Sequence, residues 1–126
     1  MPGLFEIYVR SDFSAAHSLV GYQGDCARVH GHNWNVEVFV RCRELDKIGI
    51  GIDFRHIKTA VKEVLMNLDH TNLNDLPEFK DVNPTSENVA RHLYKKLSDT
   101  LNSGNVKVSK VKVSEAPHAG AFYWEE

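Results

Sequence analysis

Apolar residues recur at every second position near the start of the chain. Phe5, Ile7, Val9, Phe13 and Ala15 share one phase, and Glu6, Arg10, Asp12 and Ser14 share the other. Period two is the signature of a half-buried strand, and it carries His17 onto the apolar face. Residues 18–29 hold two glycines and no period, which predicts a loop. Alternation returns at His30: His32, Trp34, Val36, Val38, Val40 and Cys42 fall in phase, opposite Asn33, Asn35, Glu37, Arg41 and Arg43. A long second strand follows, again with histidines at one end of its apolar face.

The period then changes from two to that of a helix. Gly49 and Gly51 break the chain, and Asp53 is placed to cap a helix with the stripe Phe54, Ile57, Val61, Val64, Leu65 and Leu68. Asp69 and His70 fall at its C-terminal end. After a loop, TNLNDLPEFKDVNP, a second helix opens at Pro84-Thr85, capped by Thr85 or Ser86. Its stripe is Val89, Leu93, Leu97 and Leu101, and Asn102-Ser103-Gly104 ends it. Val106 and Val108 resume the alternation, but Val111, Val113 and Glu115 run in the opposite phase, which predicts a bulge near Ser109-Lys110. A turn over 116–120 leads to a last strand, Ala121-Phe122-Tyr123-Trp124. The order β-β-α-α-β-β is an α+β arrangement, read as one domain over residues 1–126.

Bulk properties narrow the function by exclusion. A protein of 126 residues can bury a real core. A net charge of −2 argues against a general nucleic-acid binder. No apolar run approaches the ~20 residues that span a bilayer, and the N-terminus lacks a signal-peptide pattern. Two cysteines do not make a disulfide framework in a protein this long. The expectation is a cytoplasmic, reduced protein that engages neither membrane nor nucleic acid.

The chemistry concentrates in CARVHGH, residues 26–32. On a strand His30 and His32 point to one face, and His17 is in phase on the neighbouring strand. Three neutral imidazoles make a catalytic zinc set with one position left open, whereas structural zinc sites close with four protein ligands, mostly cysteines. A lone histidine on an apolar face is most simply a satisfied core residue; two at i, i+2 with a third in phase favour a metal. Gly31 between them leaves room for close approach. Cys26 is open to two readings, a thiolate activated by a nearby cation or a fourth ligand that closes the site. Cys42, in phase with three valines, reads as core. Asp69 can orient His70 or simply end a helix beside it, and Glu115 puts a carboxylate on an apolar face, where it needs a partner. His56, His92 and His118 read as surface or structural.

Taken together, FSAAH, CARVHGHNW, LDHTNLND, NPTSENVA and KVSEAPHAG resemble the 6-pyruvoyl tetrahydropterin synthase / 6-carboxytetrahydropterin synthase family, in order over nearly the whole sequence. The resemblance implies the tunnelling fold, a four-stranded antiparallel sheet with two helices on one face. It also implies trimers closed into a barrel and stacked as a homo-hexamer, with sites between subunits. Zn2+ would be held by His17, His30 and His32, with Cys26, Asp69 and His70 catalytic. Glu115 would anchor the pterin, helped by Thr85 and Ser86 from a neighbouring subunit. The short Cys26-to-His30 spacing resembles the carboxytetrahydropterin synthases of the queuosine (7-deazaguanine) pathway. The implied substrate is 7,8-dihydroneopterin triphosphate, cut to 6-carboxytetrahydropterin, acetaldehyde and triphosphate. Arg28 and Arg10 are candidate cations for the triphosphate. A pyruvoyl-type synthase and a non-catalytic zinc-stabilised binding module are the alternatives. Where family members often carry a hydroxyl residue, this protein has His118.

Overall fold

In the computed structural model, which describes residues 3–126, the two alternating segments form long antiparallel strands, β1 (Phe5–His17) and β2 (His30–Cys42). They pair along their full length, from Phe5 opposite Cys42 to His17 opposite His30. Val9, Phe13 and Ala15 of β1 are buried with Trp34, Val36, Val38, Val40 and Cys42 of β2. Burial of that one face fixes the pairing, because a slip of one residue would turn every partner over.

Two helices cover this face. Asp53 caps α1 (Phe54–Met66) by accepting the Arg55 N–H at 2.8 Å, and Thr85 caps α2 (Ser86–Leu101) by accepting the Asn88 N–H at 3.1 Å. Ile57, Val61 and Leu65 from α1 and Val89, Leu93, Leu97 and Leu101 from α2 enter one core with the strands. Phe54 departs from its expected place in the stripe. It opens the helix, remains 58% exposed and lines an apolar hollow with Phe5 and Ile50.

The sheet corrects the four-stranded antiparallel expectation. A short strand, β3 (Thr71–Asn72), pairs parallel to β1 at Ala15 and Ala16. Two residues are too few to display a period. The pairing arises because His70 adopts φ of 60° after α1 and turns the backbone, its N–H bonding the Ser14 carbonyl at 2.6 Å. The segment read as a loop also contains two 3-10 turns, Leu73–Asp75 and Pro77–Phe79, which sink Leu73 and Phe79 into the core.

β4 (Lys107–Ala116) pairs antiparallel with β2, and β5 (Ala119–Tyr123) with β4, giving a mixed sheet in the order β3-β1-β2-β4-β5. The expected bulge is present. Phe39 faces Lys110 and Val40 faces Val108, so Ser109 is the extra residue, and Val108, Val111 and Val113 are all buried despite their change of phase. The last strand begins at Ala119 rather than Ala121, since the turn comprises only Pro117 and His118. Among the described residues no helix is long and apolar enough to cross a membrane.

Leu73 is fully buried and anchors the connection between the helices. Leu73→Ala is expected to cost about 2–5 kcal/mol, as a leucine deletion does in a close-packed core. Urea unfolding checks this: the midpoint should fall with its slope unchanged, and an unchanged midpoint would mean that the connection does not bear on the core.

Candidate metal centre and adjoining cleft

The β1–β2 register sets His17 directly across from His30 and His32 across from Ala15. Odd positions of β1 and even positions of β2 share the core face, so the three imidazoles gather at one end of the sheet. Ala15 contributes only a methyl group there, leaving room for the His32 ring. The ring centroids lie 4.6 Å apart for His17 and His30, 4.7 Å for His30 and His32, and 5.2 Å for His17 and His32. One ligand nitrogen from each lies within 4.8 Å of the other two. Trp34 backs the cluster edge-on, 4.8 Å from His17, and is held by its indole N–H on the Ala15 carbonyl at 3.1 Å.

Backbone carbonyls orient two of the rings. His17 Nδ1 donates to the Pro84 carbonyl and His30 Nδ1 to the Arg28 carbonyl, each at 2.7 Å. A carbonyl only accepts, so Nδ1 carries the proton and Nε2 of the neutral ring presents a lone pair. Nε2 of His17 and of His32 is buried without a hydrogen-bond partner among the described residues. Burial lowers the His17 pKa below its ordinary value, against the opposing pull of the Pro84 carbonyl and Glu115, and favours the neutral ring. Two orphaned imidazole nitrogens, on His17 and His32, and carbonyls behind the His17 and His30 rings fit a divalent metal, and a three-imidazole set suits zinc.

Glu115 stands beside the cluster, Oε1 3.5 Å from His17 Nε2 and Oε2 3.5 Å from His32 Nε2. A second irregularity in the sheet places it. Val113 faces Ala121 and Ala116 faces Ala119, so Ser114 and Glu115 share the single residue Gly120 opposite them. Such a bulge re-aims a side chain. Gly120 is required here, because an added Cβ would run into Ser114 Oγ and lie 2.8 Å from the Val113 carbonyl. A cleft of about 490 Å³ adjoins Glu115 and is lined also by Leu19, Tyr22, Thr85 and Ser86. Thr85 and Ser86 thus border the same cleft as Glu115 within one protomer. The His17–Pro84 hydrogen bond draws the start of α2 to the end of β1.

The remaining candidates lie around this centre. Asp69 accepts the Ser14 N–H at 2.8 Å, and its other oxygen lies 2.9 Å from His70 Nδ1. The Ser14 amide, and His70 after it, hold the Asp69 carboxyl below the usual range. The His70 side chain is 81% exposed and lines a groove with His32 and Gly31. Among the described residues, a Cβ on Gly31 would meet nothing within 4 Å, so none of their backbone makes the close approach expected there. Cys26 lies half-buried in a 3-10 turn, Asp25–Ala27, and its thiol is not in the set of three ligand nitrogens. Arg28 is exposed, and Arg10 lies 3.9 Å from Glu37. His92 pairs with Glu78 at 3.7 Å, away from the site.

Sequence reasoning missed two asparagines. Asn74 Oδ1 accepts the Ser18 N–H at 2.8 Å while its Nδ2 donates to the Ser18 carbonyl at 3.0 Å. Asn83 grips Val20 in the same way, both bonds at 2.9 Å. Leu19, between the two gripped residues, donates its N–H to the Cys26 carbonyl at 2.9 Å. The loop that carries Cys26 is thus fastened to the connection between the helices by amides that mimic strand pairing. Asparagine in a loop was the only available signal, and loops are rich in asparagine for many reasons.

Comparison with known proteins agrees with this geometry. Residues 6–126 match the family model described as 6-pyruvoyl tetrahydropterin synthase. A 6-carboxy-5,6,7,8-tetrahydropterin synthase of Bacillus subtilis is 36% identical over 130 residues, covering 97% of this protein and 86% of its own length. One from Rickettsia felis is 32% identical over 127 residues, covering 86% and 92%. The solved structure of Caenorhabditis elegans 6-pyruvoyl tetrahydropterin synthase superposes with a TM-score of 0.87 at 30% identity, covering 98% of this protein and 97% of that one.

Removing either asparagine clamp by Asn74→Ala or Asn83→Ala should cost about 1–3 kcal/mol, since each forfeits two hydrogen bonds. Amide hydrogen exchange at Ser18, Leu19 and Val20 should accelerate while core amides of β2 keep their protection. Unchanged exchange at those three amides would show that the clamps do not hold the loop.

Proposed function

Because the chain belongs to the 6-pyruvoyl tetrahydropterin synthase family, we propose that it is a zinc-dependent 6-carboxy-5,6,7,8-tetrahydropterin synthase of the cytoplasm. It converts 7,8-dihydroneopterin triphosphate and water to 6-carboxytetrahydropterin, acetaldehyde and triphosphate. The observation that carries this reading is the convergence of three imidazole nitrogens, two of their rings held by backbone carbonyls, beside a cleft bearing Glu115, Thr85 and Ser86. The names of the Bacillus and Rickettsia relatives favour this branch, as does the spacing of Cys26 and His30.

Zinc held by His17, His30 and His32 supplies a Lewis acid toward the oxygens of the substrate's propyl tail. Glu115 accepts the ring N–H and amino protons of the pterin, and the Thr85 and Ser86 hydroxyls hold the same ring, which fixes the carbons that face the imidazoles. Cys26 takes and returns protons at the tail carbons, and His70, oriented by Asp69, serves as its acid–base partner. Proton shifts move two electrons from tail to ring, so no external oxidant is needed. Triphosphate leaves with the electron pair of its C–O bond. Cleavage of a carbon–carbon bond in the tail then releases acetaldehyde, and water supplies the carboxyl oxygen. Arg28 and Arg10 are the cations offered to the triphosphate.

The reading includes a homo-hexamer built as two trimers. Among the described residues of one protomer, most of the β1 edge beyond the short β3 pairing, and the outer edge of β5, are unpaired. Ring closure by edge-to-edge pairing would remove both edges and bring Asp69 and His70 to a neighbour's site. Light scattering should give a trimeric or hexameric mass; a monomer at micromolar concentration would contradict it.

The superposition on the Caenorhabditis pyruvoyl synthase favours a second reading, in which triphosphate is eliminated without carbon–carbon cleavage. Incubation with dihydroneopterin triphosphate separates the two. Acetaldehyde and 6-carboxytetrahydropterin are expected in equal amounts, whereas 6-pyruvoyl tetrahydropterin without acetaldehyde would select the second reading. Neither product, with metal bound, would favour a binding module. Cys26→Ala should keep its metal and lose about 10²–10⁴-fold in kcat, the usual contribution of a proton-transfer group. Loss of metal from that variant would make Cys26 a ligand instead.

A further inference from the structure

We propose that Tyr22 stacks on the face of the pterin ring, seating it in the cleft while Glu115 holds its edge. The proposal rests on the pterin reading above and gives the loop between His17 and Cys26 a binding task of its own.

The cleft supplies the first ground. Its walls carry polar groups at Glu115, Thr85 and Ser86, and small side chains at Ala116, Ala119 and Ala121. Among the residues that line it, Tyr22 alone is aromatic. A carboxylate and two hydroxyls hydrogen-bond the rim of a flat heterocycle, in the plane of its ring. None of them covers its face. An aromatic side chain does so by offset stacking, and buries the apolar surface that rim bonds leave in water.

The loop supplies the second. Tyr22 donates its N–H to the Leu19 carbonyl at 3.4 Å, and Gly21 just before it has φ of 87°. This is a four-residue turn with glycine at its third position, where a positive φ is demanded, and it brings its first and last residues together. Those two are Leu19 and Tyr22, and both line the cleft. Gly24 supports the ring from outside the cleft lining: a Cβ added there would lie 3.1 Å from Tyr22 Cε2. The ring thus has backbone at its back and the cleft before it.

Tyr22 is nonetheless 52% exposed. A large side chain left half in water by a fastened loop has contact area to give to a ligand. The fastening is close on both sides: Asn83 holds Val20 by two bonds at 2.9 Å, and the Ala27 N–H bonds the Gly24 carbonyl at 3.1 Å. Such a platform is formed before the ligand arrives, so little ordering entropy is lost on binding. The same loop carries Cys26, so a ring seated on Tyr22 is registered against that thiol.

Titration of the full-length, zinc-loaded protein with unsubstituted pterin, followed by pterin fluorescence, tests this. Tyr22→Phe should bind as wild type does, because stacking uses the ring and not the hydroxyl. Tyr22→Ala should bind at least about 10-fold more weakly, as stacked bases do when their aromatic partner is truncated. With dihydroneopterin triphosphate, Y22A should raise KM and leave kcat within about twofold, the mark of a contact made equally in ground and transition states. Wild-type affinity in Y22A, or a loss in Y22F as large as in Y22A, would overturn the proposal. Ring-labelled tyrosine gives an NMR readout that needs no truncation. Of the signals from four tyrosines, the one absent from Y22F should move upfield when pterin is added to wild type. A signal that stays in place would equally overturn the proposal, and if Y22A does not fold this signal decides alone. Failure of wild type to bind pterin would overturn the pterin reading itself, and this proposal with it.

Discussion

The pairing of His17 with His30 across β1 and β2 is the constraint on which the rest of the site depends. Side chains alternate along a strand, so a slip of one residue would send His30 and His32 to one face and leave His17 on the other. The register is held by residues with no chemistry of their own. Phe13 opposite Trp34, Val9 opposite Val38 and Ile7 opposite Val40 gain burial only in this alignment. The hydrophobic effect, which has no direction itself, thereby sets three imidazole nitrogens within bonding range of one ion.

Around that fixed edge the less regular segments are fastened by polar contacts. The Pro84 carbonyl holds the His17 ring, Asn74 and Asn83 hold the loop that leads to Cys26, and the Ser14 backbone holds Asp69 and His70. Each fastening joins the end of β1 or the loop after it to the segment between the helices. The bulge opposite Gly120 does the corresponding work on the far side of the sheet, turning Glu115 toward both the imidazoles and the cleft. Regular structure positions the metal donors, and its interruptions position the groups that act beside them.

This division explains what could be read from the sequence. Both long strands, both helices with their caps and the Ser109 bulge left a periodic trace, because each buries one face against a core. The histidine cluster was legible for the same reason, since phase alone brought His17 to His30 and His32. β3 left no trace: two residues have no period, and their pairing depends on the left-handed turn at His70. Nor did the asparagine clamps, which join a side-chain amide to backbone far away in sequence. The cleft that Thr85 and Ser86 share with Glu115 follows from the packing of α2 against β4 and β5, which no local pattern encodes.

The register of two strands brings His17, His30 and His32 together as a set able to hold one metal ion. The most direct measurement is anomalous scattering at the zinc edge from crystals of the zinc-loaded protein. A single peak per protomer, ~2.0–2.2 Å from Nε2 of all three histidines, is the expected result. No peak at that position, or a peak bonded to the Cys26 thiol in place of one of the imidazoles, would contradict it.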